Sequence, residues 1–334
     1  MKRRHFFPGE SIRRRSFIGF LGGAVATWPL VARAQQKPII GFLHQGTPGE
    51  PSFMAAFRKG LVDAGISDGS SITIENRWAN GQYDRLPALA ADLVSHRVAI
   101  IAAAFLPAAL AAKAATQTIP IVFLVGSDPI AAGLVSSINR PTNNVTGIAF
   151  RFSSLWAKSL ELLRELVPNT SVIAALTNPT NPNAEPQLTD LQTAARSLGL
   201  ELVSVTASND QETDSVFPML RQRKIGALVI TTDQYLVDHY DRLISLANHY
   251  ALPTMYPLRR AVEVGGLMSY GANLSDAYQQ CGAYVGKILR GAKPSDLPIL
   301  QPSKYELVIN LKTAKTLGLT IPPTLQMLAD ELIE

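Results

Sequence analysis

From Pro38 to Val125 the sequence repeats one phrase: a short apolar run, then a longer stretch with apolar residues at helical spacing. PIIGFLH, SITIENRW, VAIIAAA and IPIVFLV read as strands, and FMAAFRKGLVDAG, RLPALAADLVSH and PAALAAKAATQ as the helices between them. No hairpin turn signal separates any two strands. Strands connected only through helices run parallel, and their near-continuous apolar runs require cover on both faces. The chain is therefore expected to fold as an α/β protein with a parallel sheet layered between helices.

The rhythm breaks across DPIAAGLVSSINRPTNNVTGIAFRFSS, a loop-rich stretch around Pro141, Asn143 and Asn144, and then restarts. SVIAALT, LELVSVTA and GALVITT are strands; NAEPQLTDLQTAARSLG, ETDSVFPMLRQRK and LVDHYDRLISLANHY are helices. A second α/β domain thus begins near residue 153. Strand GGLMSY, a long helix LSDAYQQCGAYVGKILRG, a connector spaced by Pro294, Pro298 and Pro302, and strand YELVIN follow.

The opening segment belongs to neither domain. Arg13, Arg14 and Arg15 run into an uncharged stretch, Ser16 to Ala32, that is short for a membrane span and interrupted by Gly19, Gly22, Gly23 and Pro29. The small-x-small site Ala32-Arg33-Ala34 completes a secretory signal over residues 1–34, cut between Ala34 and Gln35, so the mature chain is expected in the periplasm. Arg14-Arg15-Ser16-Phe17-Ile18 looks like the twin-arginine export pattern, with a general secretory signal as the other option. Residues 1–34 hold seven basic residues against Glu10, a net of +6; the whole chain is +5, which leaves −1 for residues 35–334. A near-neutral mature chain has no general electrostatic footprint for nucleic acid, and no segment of it is set up for stable membrane insertion. Cys281, the only cysteine, excludes an intramolecular disulfide.

Reaction motifs are missing. The five histidines form no H-x-x-x-H pair, and neither a P-loop, a G-x-G-x-x-G nor a G-x-S-x-G run occurs. No metal and no cofactor are expected. Glu161 and Glu165 at i, i+4 read as a solvated helix face, and His239 as a surface residue of an amphipathic helix. What the chain has instead is polar loops where strands end and helices begin, the place where open α/β sheets take ligands. These are Gln45-Gly46-Thr47-Pro48, Phe105-Leu106-Pro107-Ala108, Gly126-Ser127-Asp128-Pro129, the run Thr177 to Pro186 with Asn181 and Asn183, and Thr231 to Tyr235 with Asp233. Each has an ordinary reading as helix caps or turns. Two facing domains that both carry such ends point to a site between them.

Several stretches, among them EPSFMAAFRKGL, WANGQYDRLPALAADLV, the GSDP turn, LTNPTNPNAEPQ, GGLMSYG and DLPILQPSKYELVINLKTAKTLGLTIPP, resemble the ABC-transporter substrate-binding proteins of the tryptophan/tyrosine-binding type. The resemblance covers residues 37–334. It implies two Rossmann-like lobes with parallel sheets joined by three crossovers, the type I periplasmic binding protein-like fold. Lobe 1 would be residues 35–152 plus 272–300, and lobe 2 residues 153–271 plus 301–334. It also implies a monomer that holds a small organic solute in the cleft, with an amino acid, aromatic by preference, as the model ligand, and passes it to a membrane permease. Carried over by position, lobe 1 would contact it through Gln45, Phe105, Leu106, Ala108, Ser127 and Asp128. Lobe 2 would use Asn181, Asn183, Asp233, Tyr256 and Tyr270. An amino acid's carboxylate would meet the amides near Ala108, and its ammonium Asp233 or Asp128. Relatives commonly place Gly and then Ser or Thr before this helix's proline, where this chain has Phe105 and Leu106. Two other functions share the cleft: a ligand-sensing module that signals to a membrane partner, and an exported hydrolase or lyase with Asp233 and Asp128 as acid and base. The enzyme requires those two carboxyls to converge.

Overall fold

Apolar residues inside the strands fall alternately on two sides of each sheet. In the computed structural model, which describes residues 37–48, 51–66, 71–141, 143–150, 152–302 and 304–334, this alternation is filled on both sides. Ile100, Ala102 and Ala104 join one buried cluster, while Ile101 and Ala103 join another. The expected signal, residues 1–34, lies outside the described residues.

The first half supplies β1 (Ile39–His44), α1 (Pro51–Asp63), β2 (Thr73–Trp78), α2 (Leu86–Ser95), β3 (Ile100–Ala104), α3 (Leu106–Ala115), β4 (Ile121–Val125) and β5 (Val145–Ala149). Its five strands form one parallel sheet in the order β2-β1-β3-β4-β5. The central strands β3 and β4 are buried at every position, whereas edge strand β2 carries Glu75 and Arg77 and is half exposed. Edge strands of this kind resist pairing with other chains.

The chain then enters a second layer: α4 (Phe152–Leu166), β6 (Val172–Thr177), α5 (Ala184–Ser197), β7 (Glu201–Thr206), α6 (Asp210–Gln222) and β8 (Ala227–Ile230). It continues with α7 (Gln234–Asp238), α8 (Tyr240–His249), β9 (Thr254–Tyr256), α9 (Arg259–Glu263) and β10 (Met268–Ala272). From there α10 (Leu274–Leu289) runs back to the first sheet. The last elements are β11 (Tyr305–Asn310), α11 (Leu311–Thr316), α12 (Pro323–Leu328) and β12 (Glu331–Ile333). The second sheet has seven strands in the order β12-β11-β10-β9-β8-β6-β7. Three segments therefore pass between the sheets: one from β5 to α4, one from β10 to α10, and one after Leu300, which bridges Ile148 before the chain reaches β11.

Three details depart from the sequence expectation. β5 sits inside the stretch read as loop, because Gly147 and the flanking turn residues mask a five-residue run that is wholly buried. β11 is antiparallel to β10, since the chain returns from the far lobe between them; β12 then pairs parallel to β11. The single helix expected over LVDHYDRLISLANHY is two helices, broken at His239 where φ is −111° and ψ is 23°.

The return helix α10 is anchored by close packing. A Cβ on Gly60 would lie 1.8 Å from the carbonyl oxygen of Gln279, and one on Gly282 would lie 2.0 Å from that of Phe57. The backbones of α1 and α10 touch at these glycines. Ala277, Tyr278, Cys281, Val285 and Ile288 are buried at helical spacing along α10, and each large apolar side chain so buried stabilises by about 1.5–3 kcal/mol. This contact fixes Leu274 and Tyr278 at the first-turn end of α10, beside the ends of β1 and β2.

Candidate functional site

The carboxyl ends of β1, β2 and β3 carry aromatic residues. His44 closes β1, Trp78 closes β2, and Phe105 follows β3. The His44 Nδ1 accepts the Gly46 N–H at 2.8 Å, so its proton sits on Nε2 and is donated to the Tyr278 hydroxyl at 3.1 Å. Full burial lowers the His44 pKa to about 3, which makes the ring neutral. Around it lie Trp78 with ring centroids 4.9 Å apart, Phe105 edge-on at 5.3 Å and Phe42 stacked at 6.1 Å. Phe53 stacks on Tyr278 at 5.0 Å. This face is aromatic and uncharged.

The opposite face is built at the ends of β6 and β8. Asp233 caps α7 by accepting the Leu236 N–H at 3.1 Å, and it is 1% exposed. Its carboxylate also accepts the side-chain amides of Asn178 and Asn181, both at 3.0 Å. The fourth donor is the hydroxyl of Tyr83, 2.7 Å away, from a 3-10 turn (Tyr83–Arg85) that follows β2. Tyr83 belongs to the first lobe and Asp233 to the second, so this bond spans the cleft. Burial first, and the charge of Asp233 second, push the Tyr83 pKa up. Every partner of Asp233 is neutral.

Between the faces lies a cavity of about 220 Å³. Phe42, His44, Gln45, Phe53, Trp78, Phe105 and Tyr278 line it from one side, and Thr232, Asp233, Gln234, Tyr240 and Leu258 from the other. Three buried polar atoms of its lining have no hydrogen-bond partner: Gln45 Oε1, Thr232 Oγ1 and the Tyr240 hydroxyl. Buried polar groups are nearly always satisfied, so such orphans mark a place where another molecule is expected. Asp238, Asp241 and Arg260 stand exposed at the rim. Desolvation on its cavity side raises the Asp238 pKa, and its side chain also bonds Thr47 across the cleft. A second cavity of about 340 Å³ adjoins the first through Phe53, Leu258, Arg260 and Leu274, and reaches Asn273 and Glu306 at the inter-lobe segments. No cluster of three or more His, Cys, Asp or Glu side chains able to hold a metal occurs among the described residues.

Of the residues singled out in the sequence, Gln45, Phe105 and Asp233 line the main cavity. Asn181 stands directly behind, holding Asp233 and the Thr232 carbonyl, and Asn183 donates its N–H to the Asn181 side chain at 2.9 Å. Leu106, Ala108, Ser127 and Asp128 are not among its lining residues. Ala108 is fully buried under the Phe105 turn, Ser127 Oγ is unpartnered, and Asp128 is exposed and accepts the N–H groups of Ile130 and Ala131. Asp128 therefore acts as a turn cap and does not converge with Asp233, which removes the acid–base pair that the hydrolase alternative required. Tyr256 is sealed behind the wall, edge-on to Tyr240 with centroids 5.5 Å apart, and Tyr270 faces Tyr305 at 6.2 Å. Sequence reasoning missed Trp78, Tyr83, Tyr278 and Tyr240. The first two lie at a strand's carboxyl end, the signal used for the other loops; the last two read as apolar helix positions.

A description of the ABC transporter substrate binding protein family matches residues 47–333. The chain belongs to that family. As a substrate-binding protein it takes up a small solute and serves a membrane permease of an ABC transporter, outside the cytoplasmic membrane. No helix of the described residues is long and apolar enough to cross a membrane. A relative from Clostridioides difficile (strain R20291), the tyrosine-binding protein, is 29% identical over 263 residues, 79% of this chain and 75% of that one. Among solved structures, the ABC domain from Streptococcus pneumonia in complex with L-Trp is 26% identical with a TM-score of 0.79, over 89% of this chain and 100% of that one. The ligand-free, open structure of a substrate binding protein with adhesive properties from Clostridium difficile is 27% identical, with a TM-score of 0.65 over 89% and 99%.

Proposed function

We propose that the substrate-binding protein closes its two lobes on a small organic solute that carries a protonated amine on an aromatic or large apolar body. The observation that carries this is Asp233: a carboxylate 1% exposed at the cavity wall, held by four neutral donors and no cation. Buried carboxylates are ordinarily paired with a positive charge. The neutral His44 supplies none, so the ligand's ammonium is the missing partner. Five aromatic side chains on the facing wall suit a flat apolar body and add cation–π attraction. Tyrosine and tryptophan, bound by the two relatives above, belong to this solute class.

The Tyr83–Asp233 bond and the contact of Gly46 with Gln234 support a closed arrangement, as does the higher TM-score to the tryptophan-bound structure than to the open one. Closure of this hinged kind brings together half-sites that are each weak alone. Residues 1–34 act in this reading as an export signal cut between Ala34 and Gln35, and amino-terminal sequencing of the exported protein checks that.

The test is a thermal-shift panel of aromatic amines, amino acids, sugars and carboxylic acids on the purified protein. A solute at 100 times its Kd adds about 2.7 kcal/mol, which is roughly 5 °C for a chain of this size. The reading requires that shift from an amine-bearing member. A shift only from sugars or carboxylic acids, or turnover of the bound compound, overturns it.

A further inference from the structure

Phe105 sits between β3 and α3 with φ 71° and ψ 161°. That region of backbone space is essentially confined to glycine, because a Cβ crowds the neighbouring peptide groups. Phe105 is nonetheless held there by two backbone bonds: its N–H donates to the Leu124 carbonyl at 2.6 Å, and its carbonyl accepts the Ala109 N–H at 3.0 Å. The strained backbone carries a ring that stands edge-on to His44 and forms part of the cavity wall. The first turn of α3 follows directly in the chain, from Leu106. Neither Leu106, Ala108 nor Ser127 reaches the cavity lining.

A free α-carboxylate needs donors that are not already used. In an α/β fold the natural supply is the unpaired N–H groups at the start of such a helix, and here the first-turn residues Leu106 and Ala108 are absent from the cavity lining, where Phe105 stands instead. Arg260, the cation among the described lining residues, is exposed at the rim, shared with the second cavity, and already engaged within the protein. What faces the cavity interior holds no cation among the described residues: beside the two neutral hydroxyls of Thr232 and Tyr240, each able to donate or accept, stand an unpartnered acceptor and a buried carboxylate, a set suited to an ammonium. Gln45, 4% exposed, presents an unpartnered acceptor; Tyr240, 3% exposed, presents an unpartnered hydroxyl; and Asp233 lacks a cation.

We infer that Phe105 is the specificity-determining residue of this site, excluding the carboxylate of an α-amino acid, so that the protein selects aromatic amines without a carboxylate over the corresponding amino acids. The inference rests on the amine-solute reading and narrows it. The strain at Phe105 persists because its ring is the wall that makes this choice.

Calorimetric titration of the full protein with tryptamine, tryptophan, tyramine and tyrosine tests it, alongside Phe105→Gly and Phe105→Ala. At least one amine should bind tenfold or more tightly than its parent amino acid. In Phe105→Gly, where the backbone is relaxed and the ring is gone from the cavity wall, that ratio should fall at least tenfold. Phe105→Ala, which keeps a Cβ but removes the ring, should move it the same way, and it provides the readout if the glycine variant is poorly folded. An amino acid that binds more tightly than its amine, or a ratio unmoved in both variants, overturns the inference while leaving the amine-solute reading standing. Binding by none of the four probes overturns both.

Discussion

The two walls of the cleft solve different problems. The first-lobe wall is a cluster of rings around a neutral histidine, with one inward hydrogen bond from His44 to Tyr278. The second-lobe wall is a cap, Asp233, over-supplied with donors, flanked by groups that lack partners. Aromatic area provides non-directional affinity, roughly 25 cal/mol per Å² removed from water. The polar wall supplies the charged contact and fixes orientation, since an ill-placed ligand strands a buried polar group. The lesson of the pair is that apolar contact area and polar orientation sit on opposite lobes, so only the closed state has both.

The sharpest way to break this comparison is Asp233→Ala. The change leaves Asn178 Nδ2, the Tyr83 hydroxyl and the Leu236 N–H without this acceptor, and Asn181 with only the Thr232 carbonyl. Stranded buried donors cost about 1–3 kcal/mol each before relaxation, so chemical denaturation should show a loss of about 3 kcal/mol, together with loss of solute binding. A loss below about 1 kcal/mol would mean that the polar wall is not pre-organised.

The aromatic wall makes its own prediction through pH. Burial depresses the His44 pKa from 6.5 to about 3. Between those values the unfolded chain binds a proton that the folded one refuses, so this stability is complete above pH 6.5 and is lost as pH falls toward 3. The slope approaches about 1.4 kcal/mol per pH unit. Asp238, whose pKa desolvation on its cavity side raises, contributes with the opposite sign: protonation favours its folded form. Denaturation midpoints measured at several pH values should fall with acid in the native protein and fall less in His44→Gln. An equal slope in both would remove His44 from the account.

The smallest effect belongs to the point where the walls meet. Tyr83→Phe deletes only the hydroxyl that reaches Asp233 across the cleft. A net hydrogen bond is worth about 1 kcal/mol, so affinity should weaken several-fold by calorimetry. Stability without ligand should change little if the lobes open.

The fold was readable because apolar runs on both faces of β3 and β4 leave few other structures open to the chain. β5 escaped because Gly147 and the asparagines beside it look like turn, although Phe123 leaves no space at that glycine: a Cβ there would lie 2.2 Å from its carbonyl oxygen. Half the candidate site was visible as polar loop ends, hence Gln45, Phe105 and Asp233. Tyr278 and Tyr240 were not, because an aromatic side chain at a buried helix position has the same sequence signature whether it faces core or cavity. Asp128 had the composition of a ligand contact, but its location on an exposed turn spends its carboxylate on two local N–H groups.

The claim that two lobes clamp a solute is tested most directly by a distance across the cleft. Spin labels at Lys113 and Lys224, exposed or half-buried positions on opposite lobes, report it by double electron–electron resonance with and without tryptamine or tryptophan. The account predicts a wider, broader distribution in the solute-free protein that narrows and shortens at saturation, with the solute recovered unchanged. A distance that does not respond to a solute bound at saturation contradicts it.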